Sequence, residues 1–213
     1  MDGSRQQAAP ARSSRSEAVA AASEWRFAAA ALRRLPPRVA LFNLRARRVA
    51  RQTADAFSLQ SALRPAKLAT LLDAAAGRSV LVELGTGTAW TTIALALADP
   101  NRTILSYDIV ERERAPYLAL VPDSVRARIK FVTAPAEDGP GDVRGVELLF
   151  VDSSHERDPT LAQVAVWRPA LAPGALVVFD DYGHPDYPGV AEAVAALGAT
   201  GTVRASMFLW RPA

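Results

Sequence analysis

At 213 residues, half of them hydrophobic and with a net charge of +3, the chain has enough apolar material for one α/β domain with a sizeable core and short additions. It has no cysteine, which excludes disulfides and thiolate metal sites. No apolar run approaches the ~20 residues of a membrane span and the N-terminus lacks the apolar segment of a secretory signal, so a cytoplasmic protein is expected.

In chain order, residues 1–22 are rich in Ala, Ser, Arg and Gln and read as a disordered basic tail. Residues 1–51 carry eleven arginines against Asp2, Glu17 and Glu24, a local balance of +8 that leaves −5 for the rest of the chain. No aromatic residues interleave these arginines in a nucleic-acid-binding pattern, so nucleic acid is not the expected partner. Residues 23–35 look helical and stop at Pro36-Pro37. A second basic amphipathic helix is predicted over 38–51, with Val39, Leu41, Phe42, Leu44 and Val49, and a third over 60–75, with Leu63, Leu68, Leu71 and Leu72. Residues 23–66 are thus expected to form a helical extension or lid, and 67–213 the ligand-binding domain. Trp25, Phe27 and Phe42 offer apolar surface on which a homo-oligomer could form.

From residue 79 the pattern alternates. Strands are predicted at 79–84, 103–108, 129–133, 146–151 and 175–179, and helices at 90–98, 113–120, 158–170 and 188–197. Apolar strands separated by helices indicate an α/β fold with a doubly wound, mostly parallel sheet covered on both faces. The apolar stretch Thr202 to Trp210 is expected to add a last strand or a short antiparallel hairpin.

The first strand runs through Glu83 into a turn bearing Gly85 and Gly87, and a helix follows. A strand, glycine turn and helix N-terminus form the usual ligand edge of such sheets. A phosphate-cradling loop would need Gly-Lys-Ser/Thr, which is missing. A dinucleotide site would need a third glycine where Trp90 stands, which disfavours a nicotinamide-dependent oxidoreductase. Glu83, two residues before Gly85, suits a ligand with a cationic amino-acid end. Asp108 closes the next strand and could accept hydrogen bonds from ribose hydroxyls.

These residues resemble the first motif of the class I S-adenosylmethionine-dependent methyltransferases, Glu/Asp-x-Gly-x-Gly-x-Gly, matched by Glu83, Gly85 and Gly87 with Ala89 in place of the third glycine. The resemblance implies a Rossmann-like domain with S-adenosylmethionine as cofactor, Glu83 at the donor's methionine end, Asp108 at its ribose and Glu137 near its adenine.

Two further strand ends carry chemistry. Asp152 and His155 follow the fourth strand, and Asp180, Asp181 and His184 follow the fifth, so that both histidines of the chain meet at one edge. Three carboxylates there repel one another unless a cation sits between them, and Mg²⁺ is the natural occupant. Such an ion could lower the pKa of a bound hydroxyl, and His155, at an ordinary imidazole pKa, could take its proton. Asp-x-x-His and Asp-Asp-Tyr-Gly-His-Pro-Asp-Tyr-Pro-Gly-Val are similar to the metal-dependent O-methyltransferases that modify antibiotic sugars and to the cephalosporin-hydroxylase-like proteins. That resemblance implies Asp152, Asp180 and Asp181 as Mg²⁺ ligands, Asp152 also beside the donor, and His155 as general base. The expected acceptor is a small hydroxylated molecule: a sugar, a phenol or a natural-product scaffold. The rival of another class is a non-catalytic binding protein that docks through its basic N-terminus.

Overall fold

The computed structural model describes residues 33–213. The expected basic tail, all but the end of the 23–35 helix, and Trp25 and Phe27 lie outside the described residues. Helix α1 spans Pro37–Gln52, α2 Ala56–Ser61 and α3 Pro65–Ala74. The helix expected over 60–75 is therefore two. Pro65 starts α3 while Arg64 before it is held extended, as a residue preceding proline must be. Helix α2 has its own N-cap, Asp55, whose carboxylate accepts from the Ser58 amide at 2.9 Å.

The alternating part comprises β1 (Val80–Leu84), α4 (Trp90–Ala98), β2 (Thr103–Asp108), α5 (Ala115–Leu118), α6 (Asp123–Arg126) and β3 (Ile129–Thr133). It continues with β4 (Val146–Val151), α7 (Arg157–Trp167), β5 (Leu171–Phe179), α8 (Pro188–Ala196), β6 (Gly201–Arg204) and β7 (Met207–Trp210). Seven strands form one sheet in the order β3-β2-β1-β4-β5-β7-β6. The first five pair in parallel, and β7 joins β5 antiparallel, closing with β6 as a hairpin. The doubly wound, mostly parallel α/β architecture is thus the one the alternation implies.

Successive residues of the central strands feed opposite cores. Leu148 and Phe150 pack with α1, α3 and α4 on one face, while Leu149 and Val151 pack with α7 and α8 on the other. All four are buried, each contributing roughly 1.5–3 kcal/mol by leaving water. Helix α1 is part of this core, because Val39, Phe42, Ala46 and Ala50 are sealed against it. Phe42, expected to offer surface for an oligomer, is 3% exposed, whereas Leu41 and Leu44 face outward.

The chain winds outward from β1 to β2 and β3, then returns to place β4 on the other side of β1. Connections therefore diverge above the carboxyl ends of β1 and β4, where a crevice must open. No described helix is long and apolar enough to cross a membrane.

Candidate active site

A cavity of about 960 Å³ opens above that switch point. Its floor is the turn between β1 and α4. Gly85 has φ +103°, and a Cβ there would lie 1.8 Å from the carbonyl oxygen of Asp152 at the end of β4. Only glycine lets the two strand ends approach so closely. Ala89 replaces the glycine of the resembled motif yet keeps its left-handed conformation, with φ +69°. The turn thus retains its shape at a cost of about 1–2 kcal/mol.

Asp108 reaches this floor from the end of β2. One carboxylate oxygen accepts from the Gly87 amide at 2.8 Å and the other from Val110 at 3.0 Å. It borders the cavity, and a carboxylate has lone pairs left for ribose hydroxyls. Glu137, in a short 3-10 turn at Ala136–Asp138, also borders the cavity and accepts from Gln163 Nε2 at 2.9 Å.

Glu83 behaves differently from expectation. It is 1% exposed, does not border the cavity, and accepts from Ser106 Oγ at 2.6 Å and from the Thr92 hydroxyl. Burial pushes its pKa up to about 8, against the opposing pull of those two hydroxyls. A direct contact with the donor's amino group is closed to it as folded. Its place is behind the glycine turn, where Ser106 also bonds Thr86 at 2.7 Å.

Opposite the floor, α2 leans over the turn. Asp55 accepts from the hydroxyls of Ser58 and Tyr117, each at 2.5 Å, and Ser58 Oγ lies 2.6 Å from Thr88 Oγ1 within the turn. Phe57 borders the cavity, with the Arg112 guanidinium 3.8 Å above its ring. Trp90 is 5% exposed and meets Tyr117 edge to face at 5.2 Å.

The acidic edge brings Asp152, His155, Asp180 and Asp181 together around the same cavity. His155 Nε2 lies 3.5 Å from Asp152 Oδ1 and 3.3 Å from Asp181 Oδ2, within ion-pairing range but off the line of a hydrogen bond. These carboxylates hold the imidazole's pKa up to about 9, so the ordinary value expected from sequence does not survive folding. Tyr187 stacks on His155 at 4.4 Å and on His184 at 4.8 Å. Both His155 and Asp181 sit in the left-handed region, with φ +45° and +50°, backbone strain of the kind that gathers at functional sites.

The residue that sequence reasoning missed is Lys67. It extends from α3 to place Nζ 2.5 Å from Asp181 Oδ1 and 2.8 Å from Asp180 Oδ1. His155 draws the Asp181 carboxyl well below the carboxylate range, helped by the Lys67 ammonium and against the opposing effect of burial. Asp180, 4% exposed, is pushed up to about 7 by burial and by Asp152, although Lys67 opposes this. The one available signal was rarity: Lys67 and Lys130 are the only lysines in a chain that otherwise uses arginine.

Lys67 bears directly on the expected magnesium set. Asp152, His155 and Asp181 each bring one ligand atom within 4.8 Å of the others, but Asp180 is outside that group and is paired with Lys67. The ammonium bridges Asp180 and Asp181, and the imidazole fills the gap between Asp181 and Asp152. Side-chain cations therefore take both positions between the carboxylates, and the three-aspartate set does not fit a divalent ion in this arrangement.

Residues 82–182 match the model of a family described as a methyltransferase domain. Curated relatives described as tRNA (guanine-N(7)-)-methyltransferases, from Mycobacterium bovis and Mycobacterium tuberculosis, are 28% identical over 134 residues, 56% of this chain and 49% of theirs. The chain thus spans about half the length of the curated relatives it matches. Among solved structures, a TDP-rhamnose 3′-O-methyltransferase of calicheamicin biosynthesis is similar at TM-score 0.53 and 19% identity, covering 68% of this chain and 76% of that one. The MycE methyltransferase of the mycinamycin pathway, in complex with Mg and SAH, is similar at TM-score 0.50 and 16% identity, covering 70% and 48%. Likeness at such identities speaks for the fold alone.

Proposed function

We propose that this chain, whose residues 82–182 match a methyltransferase domain, is a class I S-adenosylmethionine-dependent methyltransferase that transfers the donor's methyl group to an oxygen of a small hydroxylated acceptor in the cytoplasm. The observation that carries this reading is the meeting of two half-sites in one cavity. The glycine turn with Asp108 suits the donor, and the cluster of Asp152, His155, Asp181 and Lys67 suits a hydroxyl that must lose a proton. Neighbours of the same fold named for TDP-rhamnose 3′-O-methylation and for the mycinamycin pathway point the same way, so a sugar, a phenol or a natural-product scaffold is the proposed acceptor class.

In this reading Gly85, Gly87 and Asp108 bind the donor, with Glu137 at its adenine end and Asp152 beside its reactive end. Glu83 supports the turn from behind. Neutral His155 takes the acceptor's proton; the oxygen lone pair forms the bond to the methyl carbon as the carbon–sulfur bond breaks, and sulfur keeps that pair. Holding the two partners in line supplies much of the acceleration. Because the flanking carboxylates favour the imidazolium, turnover is expected to climb with pH towards about 9. Magnesium assistance, expected from sequence, would require displacement of Lys67 from Asp181 and has no step here. Helix α2, with Phe57 over the turn, is the proposed lid.

A second reading has one observation behind it. Arg38, Arg45, Arg48 and Arg51 lie on the exposed side of α1, and the curated relatives are named for tRNA, so RNA docking on that helix is the alternative. Calorimetric titration with S-adenosylhomocysteine tests the main reading: micromolar binding is expected, and no binding would overturn it. Arg45→Glu/Arg48→Glu separates the two readings. Salt-sensitive tRNA binding by the parent chain, lost in this variant, would favour RNA as the partner.

A further inference from the structure

Two aspartates adjacent in sequence, one of them 4% exposed and with a third close by, cannot all keep their charge beside an apolar core without a cation between them. We propose that Lys67 is the resident cation of the acceptor edge: its ammonium answers the charge of Asp180 and Asp181 in place of a divalent ion, so that methyl transfer proceeds without a divalent metal onto a single acceptor oxygen. This deepens the methyltransferase reading above and rests on it.

Three observations support the assignment. The Lys67 side chain is 18% exposed and spans from a helix outside the alternating βα unit to contact both acids, at 2.5 and 2.8 Å. That chain segment supplies a charge the sheet edge lacks. The choice of lysine goes against the composition of a chain in which Lys67 and Lys130 are the only lysines. A compact ammonium fits between neighbouring carboxylates, where a planar guanidinium would demand a bidentate fork. Lys67 also borders the cavity. An ammonium has three N–H donors; one bonds Asp181, while Asp180 is held at 2.8 Å by charge, off the line of a hydrogen bond, so the ammonium keeps donor capacity for a ligand oxygen.

The chemistry follows from that count. A metal ion of open coordination would chelate two vicinal oxygens, whereas each spare N–H of the ammonium engages a single oxygen. Lys67 neither gains nor loses a proton. It steadies the negative charge that develops on the acceptor oxygen before the oxygen–carbon bond forms. The acceptor is therefore a molecule presenting one hydroxyl to this edge, with no need for a neighbouring hydroxyl.

Mn²⁺, added alone to the full chain and followed by electron paramagnetic resonance, tests the proposal. The parent protein should show no saturable site at sub-millimolar ion. Lys67→Met should gain one, at least about tenfold tighter once the competing charge is gone, and Lys67→Met/Asp181→Asn should lose it again. Lys67→Gln, which keeps a donor for Asp181, serves if Lys67→Met does not fold. Saturable binding by the parent that disappears in Asp181→Asn overturns the proposal, as does a folded Lys67 variant that gains no site. S-adenosylhomocysteine titrations on the same samples keep the two ideas apart, because loss of donor binding in the parent removes the methyltransferase reading whatever the ion does.

Discussion

The charge of His155 can be read without knowing the acceptor. The chain has two histidines, so their imidazole resonances can be followed one by one in a ¹H–¹³C titration, with His184→Asn fixing the assignment. His155 should titrate near 9. Relative to an ordinary imidazole near 6.5, that rise corresponds to roughly 3 kcal/mol of preference for the charged ring. This is an upper bound, since the ring is 27% exposed and water screens part of the attraction. The sign follows from linkage: a pKa raised in the fold contributes stability that is complete below about 6.5 and fades as pH rises through about 9. Asp181→Asn should bring the titration back towards the ordinary value and flatten the fall in stability between pH 7 and pH 9, measured by urea unfolding. A parent His155 titrating near 6.5, or one indifferent to Asp181→Asn, would refute the carboxylate clamp and with it the expected climb of turnover with pH.

Three other perturbations follow from the geometry. Gly85→Ala drives a Cβ to 1.8 Å from the Asp152 carbonyl, so it should destabilise the fold by about 3 kcal/mol or more and abolish donor binding; an unchanged melting temperature would contradict the close approach. Glu83, pushed up to about 8, is protonated in the fold at about pH 4, where the unfolded acid is largely protonated too, so Glu83→Gln should be nearly neutral there. An acid with a raised folded pKa costs stability as pH climbs from its unfolded value through 8, so the variant should be the more stable protein at pH 9, and a less stable one would show that the carboxylate is needed charged. Asp55→Ala removes the α2 cap and the acceptor of Tyr117, with an expected loss of about 1–2 kcal/mol in chemical unfolding; Tyr117→Phe on top of it should add little, and full additivity would deny the shared network.

Much of the sheet was legible because its central strands are buried on both faces and read as unbroken apolar runs, as in Leu148-Leu149-Phe150-Val151. The floor of the site was legible through its glycines and through Asp108. What escaped reading was set by long-range packing or by backbone conformation without its usual residue. The closing hairpin was expected as one of two alternatives and is the one formed; only its turn went unannounced, at Ala205 and Ser206, both at positive φ, where Asn-Gly is the usual signal. Ala89 likewise takes a glycine's conformation unannounced. Glu83 stood at the expected position, but its direction was decided by Thr92 and Ser106, residues nine and 23 positions away. The separation of Lys67 from Asp181 is 114 positions, and no local pattern could have joined them.

That separation matters for anyone comparing this protein with others. The block that matches the methyltransferase family begins at residue 82, after Lys67, so alignments confined to that block register the acids and overlook their counter-ion. Two homologues alike at every position of the block could still differ in whether they need a metal, according to what an upstream helix contributes. Sorting such sequences by the residue that faces the acidic pair would divide them along a line that similarity within the shared domain does not draw.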